Sequence, residues 1–165
     1  MQGWFTPTRL VIACIALLAV LFAIGFATRE DMAEKPYLRI AGGGFIFNYR
    51  LADNHYGFTA VVSRPLESGA IIEAAFENPA GGPPLMVRER VSAMTNSYAL
   101  RSPPLKGIAA HKPYKVHVRV LDREGRREIW SRDLQYASQI GDEEMPDQPL
   151  TVGPGYARNP VLHER

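Results

Sequence analysis

The residues with most chemical promise are four histidines: His55, His111, His117 and His163. Imidazole acts as a metal ligand or a general base when a second ligand or a nucleophile sits at a defined spacing. None of the four has a second His or a Cys at ligand spacing. His117 falls in the alternation Lys115-Val116-His117-Val118-Arg119, which turns it outward on a strand, so a solvated sheet residue is expected. Met86, Met94 and Met145 with one His would supply soft donors for Cu(I). No Met-x-x-Met or Met–His cluster gathers them. Gly42-Gly43-Gly44 has the composition of a phosphate cradle, but such loops feed a helix N-terminus. This one feeds Phe45-Ile46-Phe47, and a flexible corner or bulge is expected instead. Adjacent Glu143 and Glu144 lie in a Pro-rich stretch, where carboxylates stay hydrated. No Gly-x-Ser-x-Gly, Ser-x-x-Lys or other nucleophile–base spacing occurs. The expectation is a protein without catalytic residues, metal or cofactor.

Charge offers a second kind of chemistry. Between Arg101 and Arg132 there are nine cations against three acids, Asp122, Glu124 and Glu128. A solvated sheet face with charged edges that block aggregation explains such a run. Contact with anionic lipid, an acidic glycan or an acidic partner explains it too. The acidic residues 142–147 could fold back onto it. After residue 27 the chain holds 18 Lys+Arg and 17 Asp+Glu. That balance excludes a nucleic-acid-binding composition, which needs a clear basic excess. The same region has no Cys, hence no disulfide and no thiolate metal site.

Where these residues act depends on residues 10–27, LVIACIALLAVLFAIGFA, which carry no charge and no Pro. At ~1.5 Å per residue they reach about 27 Å, close to a hydrocarbon core. An uncleaved signal-anchor helix fits this length. A cleavable signal peptide competes, with Arg9 before the run and Gly25-Phe26-Ala27 as a small-x-small site. A buried core helix does not fit, because no polar face exists. Val11-Ile12-Ala13-Cys14 is no lipoprotein box, since almost no apolar run precedes it; Cys14 reads as a small apolar residue in lipid. The amino terminus and Arg9 on one flank, with no acid, and Arg29 followed by Glu30, Asp31 and Glu34 on the other favour residues 1–9 in the cytoplasm and an exported C-terminal domain, on few charges. For a bacterium that is the periplasmic face of the inner membrane. Residues 28–36 form a polar linker that spans at most about 30 Å.

From Tyr37 to residue 138 the hydropathy alternates with period two, the mark of half-buried strands. Strands are expected over 44–51, 56–63, 70–76, 85–91, 96–101, 114–121 and 127–136, with a short extended piece at 37–41. Asp53-Asn54-His55 is expected to turn, and the Pro- and Gly-rich residues 78–84 to loop. Asp122-Arg123-Glu124-Gly125 is a hairpin signal. No amphipathic helix follows residue 36. Seven or eight short strands imply an antiparallel sandwich or barrel. Residues 139–165 are Pro- and Gly-rich, and an irregular tail, extended or disordered, is expected, with residues 150–152 able to add an edge strand.

Leu105-x-Gly107-Ile108 followed by Tyr114-x-Val116-x-Val118 resembles the fibronectin type III signature leading into its sixth strand. The resemblance covers about fourteen residues and implies a mainly β, immunoglobulin-like sandwich with a tyrosine corner at Tyr114, its ring in the core and its hydroxyl bonded back to the loop. The early core Trp of that family is absent, and Phe58 or Phe76 must take its place. In this topology the loops 64–69, 92–95 and 122–126 share one pole with the start of the first strand. Arg64, Arg123, Arg126 and Arg127 would then lie near lipid headgroups, and the tail would leave from the far pole.

Together these readings point to a single-pass, membrane-anchored interaction module. Its expected role is that of an accessory or assembly subunit of a cell-envelope complex, with an envelope protein as partner, no nucleic acid and no small-molecule ligand. The alternative is a module that binds a glycan or another anionic envelope polymer. That use needs exposed aromatics, and Tyr56, Trp130 and Tyr156 are the candidates.

Overall fold

The computed structural model describes residues 7–29 and 35–163. The chain divides into two compact units, Met1–Lys35 and Pro36–Arg165. The first is the helix α1 (Pro7–Ala27), 21 residues with no buried position. It begins three residues before the apolar run because Pro7, with its fixed φ and missing N–H, suits the first helical turn. Thr28 closes it by donating its hydroxyl to the Ile24 carbonyl at 2.8 Å. The helix is long and apolar enough to cross a membrane.

The second unit is mainly β. Its strands are β1 (Leu38–Asn48), β2 (Asp53–Val62), β3 (Ile71–Phe76), β4 (Leu85–Arg90), β5 (Ser97–Arg101), β6 (Pro113–Leu121), β7 (Glu128–Ala137) and a small hairpin, β8 (Thr151–Val152) with β9 (Ala157–Arg158). Two antiparallel sheets result, in the orders β1-β2-β5 and β4-β3-β6-β7. They share one core and do not join into a closed barrel. Each strand places alternate side chains on that core, as period two requires. Val116, Val118 and Val120 are fully buried, each worth roughly 1.5–3 kcal/mol of burial. An aromatic seam bridges the sheets. Phe45 stacks on Tyr56 at 4.7 Å, and Tyr56 meets Phe76 edge-on at 5.1 Å. Phe58 and Phe76 lie 6.2 Å apart in the core.

Two local expectations change. The expected bulge is there, between Ile40 and Gly42, but the extended piece and the first expected strand are one: β1 runs unbroken from Leu38 through the glycine triplet to Asn48. A Cβ at Gly43 would overlap the Tyr136 hydroxyl and the Gly57 carbonyl. A side-chain-free position there lets β1 lie against β7. The turn falls at Tyr49–Ala52, with Ala52 at φ +52, and Asp53-Asn54-His55 opens β2. Asn54 is fully buried and has a partner far along the chain, which overrides its local turn preference.

The loops at residues 63–70, 91–96 and 122–127 gather at the end where β1 begins, here the near pole. Ser63 N–H donates to the Tyr37 carbonyl at 3.0 Å, and Val62 N–H to the Asn96 carbonyl at 2.8 Å. The opposite, far pole carries the tail. Residues 139–163 run over it with two short 3₁₀ turns and the β8–β9 hairpin, which joins neither sheet.

Candidate functional site

The groups first suspected of chemistry are scattered. His117 Nδ1 lies 2.6 Å from Asp133 Oδ1 on the exposed outer face of the four-stranded sheet. His55 sits on the outer side of β2; burial, and then Arg101, hold it below the ordinary value of 6.5. His111 is an exposed turn residue at φ +61, and the side chain of His163 lies outside the described residues. Met86 is on the edge strand β4, Met94 on a near-pole loop, and Met145 is buried beyond the first 3₁₀ turn. Among the described residues no three of His, Cys, Asp and Glu converge on a point.

The fibronectin-like motif builds the loop before β6. Tyr114 is fully buried; its hydroxyl accepts the Ala109 N–H at 2.8 Å and lies 3.4 Å from the Gly107 carbonyl. Leu105 and Ile108 are core residues beside it. Gly107 takes φ +81, and a Cβ there would press on the Ala80 backbone at 3.0 Å. The motif is therefore architecture, and it shapes the far pole.

Asp142 ties the tail to that loop. Its Oδ1 accepts from Asn54 Nδ2 at 3.0 Å, its Oδ2 accepts the Gly107 N–H, and its own N–H donates to the Ile108 carbonyl at 2.9 Å. Asp142 thus closes on β2 and on the β5–β6 loop, which lies within the basic run, through the Asn54 amide and backbone groups. Further along, Thr151 N–H donates to the Arg50 carbonyl at 3.2 Å, and the Arg50 guanidinium lies 4.2 Å from the centre of the Tyr156 ring. The β8–β9 hairpin is thereby seated beside the β1–β2 turn. Tyr49, Leu51, Leu150, Val152, Tyr156 and Val161 are all exposed in these segments. The far pole therefore presents apolar side chains beside Arg50.

The near pole has a different character. Arg64 lies with its guanidinium 4.5 Å from the Tyr37 ring centre. Arg90 Nη1 donates to the Gly69 carbonyl at 3.2 Å and lies 3.4 Å from the Arg123 carbonyl. Arg126 pairs with Glu124, and Arg127 is exposed after the turn. Asp122 is turned into that hairpin, where the Arg126 N–H, first among several donors, holds its carboxyl below the usual range. Arg64, Arg123, Arg126 and Arg127 are thus brought to one end of the domain.

Sequence reasoning missed Glu73. It sits mid-strand on the outer face, yet its side chain is only 1% exposed. Register explains this: Glu73 is directly opposite Arg88 on β4 and Arg119 on β6, and each gives Nε to one of its oxygens at 2.5 Å. The two guanidinium groups cover it. It pins three strands together and offers no open reactive group. Of the aromatic platforms, Tyr56 is lost to sugar stacking, because it is fully buried with its hydroxyl on the Glu77 carbonyl at 2.7 Å. Trp130 is half-buried on β7, and Tyr156 is engaged by Arg50. An open depression of about 440 Å³ on the outer sheet face is lined by Lys115, His117, Asp133 and Gln135 among others, with no Phe, Tyr or Trp.

An N-terminal apolar helix joined to a β domain is compatible with a membrane-anchored module. No protein-family model matches this chain, and no curated protein matches it either.

Proposed function

We propose that the chain is a single-pass protein of the bacterial inner membrane whose β-sandwich faces the periplasm and docks an envelope protein, as an accessory or assembly subunit. One observation carries this reading. The tail, held by Asp142 and Arg50, sets Leu150, Val152 and Tyr156 beside Tyr49 and Leu51 at the far pole, all exposed. Apolar side chains grouped at one end of a domain, rimmed by charge, mark protein contact surfaces. Aromatic and Arg residues at the centre of such a patch dominate binding. The cationic Arg50 beside Tyr156 fits a partner that brings a carboxylate next to an apolar surface. The flanking charges, Arg9 with no acid before the helix and Arg29 followed by three acids after it, lean towards this orientation. The immunoglobulin-like resemblance at Tyr114 suits an interaction scaffold and supplies no activity of its own.

Co-purification tests the reading. The full chain, tagged at its N-terminus, is extracted in mild detergent beside a Leu51→Asp/Tyr156→Asp variant. Both residues are exposed, so the fold should hold. A stoichiometric membrane partner with the parent chain and about tenfold less with the variant is the expected result. A chain that runs as a lone monomer in every mild detergent overturns it.

A further inference from the structure

The near pole combines two features that belong together at a bilayer surface. The first is Met94, which is 94% exposed, far beyond any other large apolar side chain of residues 36–163. Its exposure is built in. Tyr98, itself buried, braces the loop: its hydroxyl accepts the Ser92 N–H at 2.8 Å and donates to the Thr95 carbonyl at 2.9 Å. Ser92 Oγ accepts the Met94 N–H at 3.2 Å. The tip is thus tied from both sides, and the thioether is held out where only solvent meets it. A flexible, unbranched apolar side chain is well suited to slip between lipid headgroups. The second feature is a group of cations: Arg64, Arg123 and Arg127 on the neighbouring loops and Arg90 at the end of β4, with Arg126 paired to Glu124. The acids there are Glu67, Asp122, Glu124 and Glu128, and Asp122 accepts the Arg126 N–H within its own turn. The excess of positive charge is modest, so charge selects the surface and the methionine anchors it.

The near pole is the end of the domain that follows the linker from α1. The domain's first strand starts at this end, and Pro36 and Tyr37 precede it. Residues 28–36 allow at most about 30 Å between the helix end and that start. We infer that the near pole docks on anionic phospholipid headgroups of the bilayer that α1 enters, with Met94 inserted at the interface. This rests on reading α1 as a membrane anchor, and it leaves the far pole free for a protein partner.

The test uses the full chain with Cys14→Ser, carrying one nitroxide either at Thr95→Cys, beside the intact Met94, or at Val161→Cys on the far pole. Each protein is reconstituted into vesicles of phosphatidylcholine alone or with added phosphatidylglycerol. Collision with a water-soluble nickel complex is measured against collision with oxygen. In anionic vesicles the label at 95 should be at least about threefold less accessible to nickel than the label at 161. Met94→Asp, or Arg123→Glu with Arg127→Glu, should restore access, and high salt should weaken the protection. Equal nickel access at 95 and 161 in anionic vesicles overturns the proposal. Equal protection in neutral and anionic lipid overturns its charge component. The vesicles contain no other protein, so the result stands apart from the search for a partner: lipid docking with no co-purifying protein would sink the subunit reading alone.

Discussion

Asp142 Oδ1 lies 3.0 Å from Asn54 Nδ2, joining residues 88 positions apart in the chain. The contact converts a Pro- and Gly-rich tail into part of the domain. Its other oxygen takes the Gly107 N–H, so one carboxylate satisfies two donors on two elements. Asp142→Ala strips both. Asn54 is fully buried and its Oδ1 already lacks a protein partner, so the amide would be left with no bond at either end. A loss of about 1–3 kcal/mol is expected from unpaired donors of this kind. Urea unfolding should show it, and limited proteolysis should open new sites between residues 139 and 150. An unchanged cleavage pattern would mean that the hairpin contacts with Arg50 hold the tail alone.

Tyr114 gives the next prediction. Its ring is buried and its hydroxyl accepts the Ala109 N–H at 2.8 Å. Tyr114→Phe keeps the packing and leaves that N–H unpaired, at a cost of about 1–2 kcal/mol. Gly107→Ala should cost at least as much, because φ +81 is strained for any side chain and the Ala80 backbone is 3.0 Å from the new Cβ. Thermal melts of the two variants check both. A neutral Tyr114→Phe would show that the ring alone does the work.

The strands were readable because their signal is local. Val116, Val118 and Val120 alternate with charged residues whatever their partners are, and the observed β6 departs from the expected span by one residue. The Leu-x-Gly-Ile…Tyr motif is equally local. What could not be read depends on register. Glu73 reads as a solvent-facing charge until β4 and β6 set Arg88 and Arg119 opposite it. Asp53-Asn54-His55 has turn composition, and only Asp142, far downstream, makes Asn54 a strand residue. The glycine triplet looked like a break because Tyr136, which fills the space beside Gly43, comes from another strand. The same holds for function: Tyr56 and Tyr156 are both tyrosines in polar surroundings, and packing alone buries the first and exposes the second.

Glu73 makes a prediction about acid. Burial alone would raise its pKa, but the hydrogen bonds and charges of Arg119 and Arg88 outweigh burial and hold the carboxyl below the ordinary value of 4.5. The unfolded chain therefore takes up this proton first as pH falls. The stabilisation is whole above pH 4.5 and is lost as pH drops through the lower folded value. Glu73→Gln should cost about 1–3 kcal/mol near neutrality, since the flanking arginines are partly solvated, and the cost should shrink in acid. Urea midpoints for both proteins, taken from neutral pH downward, decide it. Parallel curves for the parent and the variant would rule out the ion-pair account.

Tyr56 makes the mirror-image prediction in alkali. Its hydroxyl donates to the Glu77 carbonyl at 2.7 Å, with the Lys115 carbonyl 3.3 Å away, and the ring fills the seam between the sheets. Burial first, then the nearby Glu77 charge, push this phenol well above the ordinary value of 10.0. The unfolded chain releases the proton first, so the fold keeps its full benefit below pH 10 and loses it progressively above. Phenolate absorbance, compared between the parent and Tyr56→Phe, should therefore show Tyr56 ionising only together with loss of the fold. Tyr56→Phe should cost about 1–2 kcal/mol near neutrality by leaving the Glu77 carbonyl without its donor. It should also remove part of the alkaline decline, so the stability curves of the two proteins converge as pH rises past 10. If Tyr56 instead ionised reversibly in the intact protein, the seam would be open to water, and the two sheets would not enclose the dry core described here.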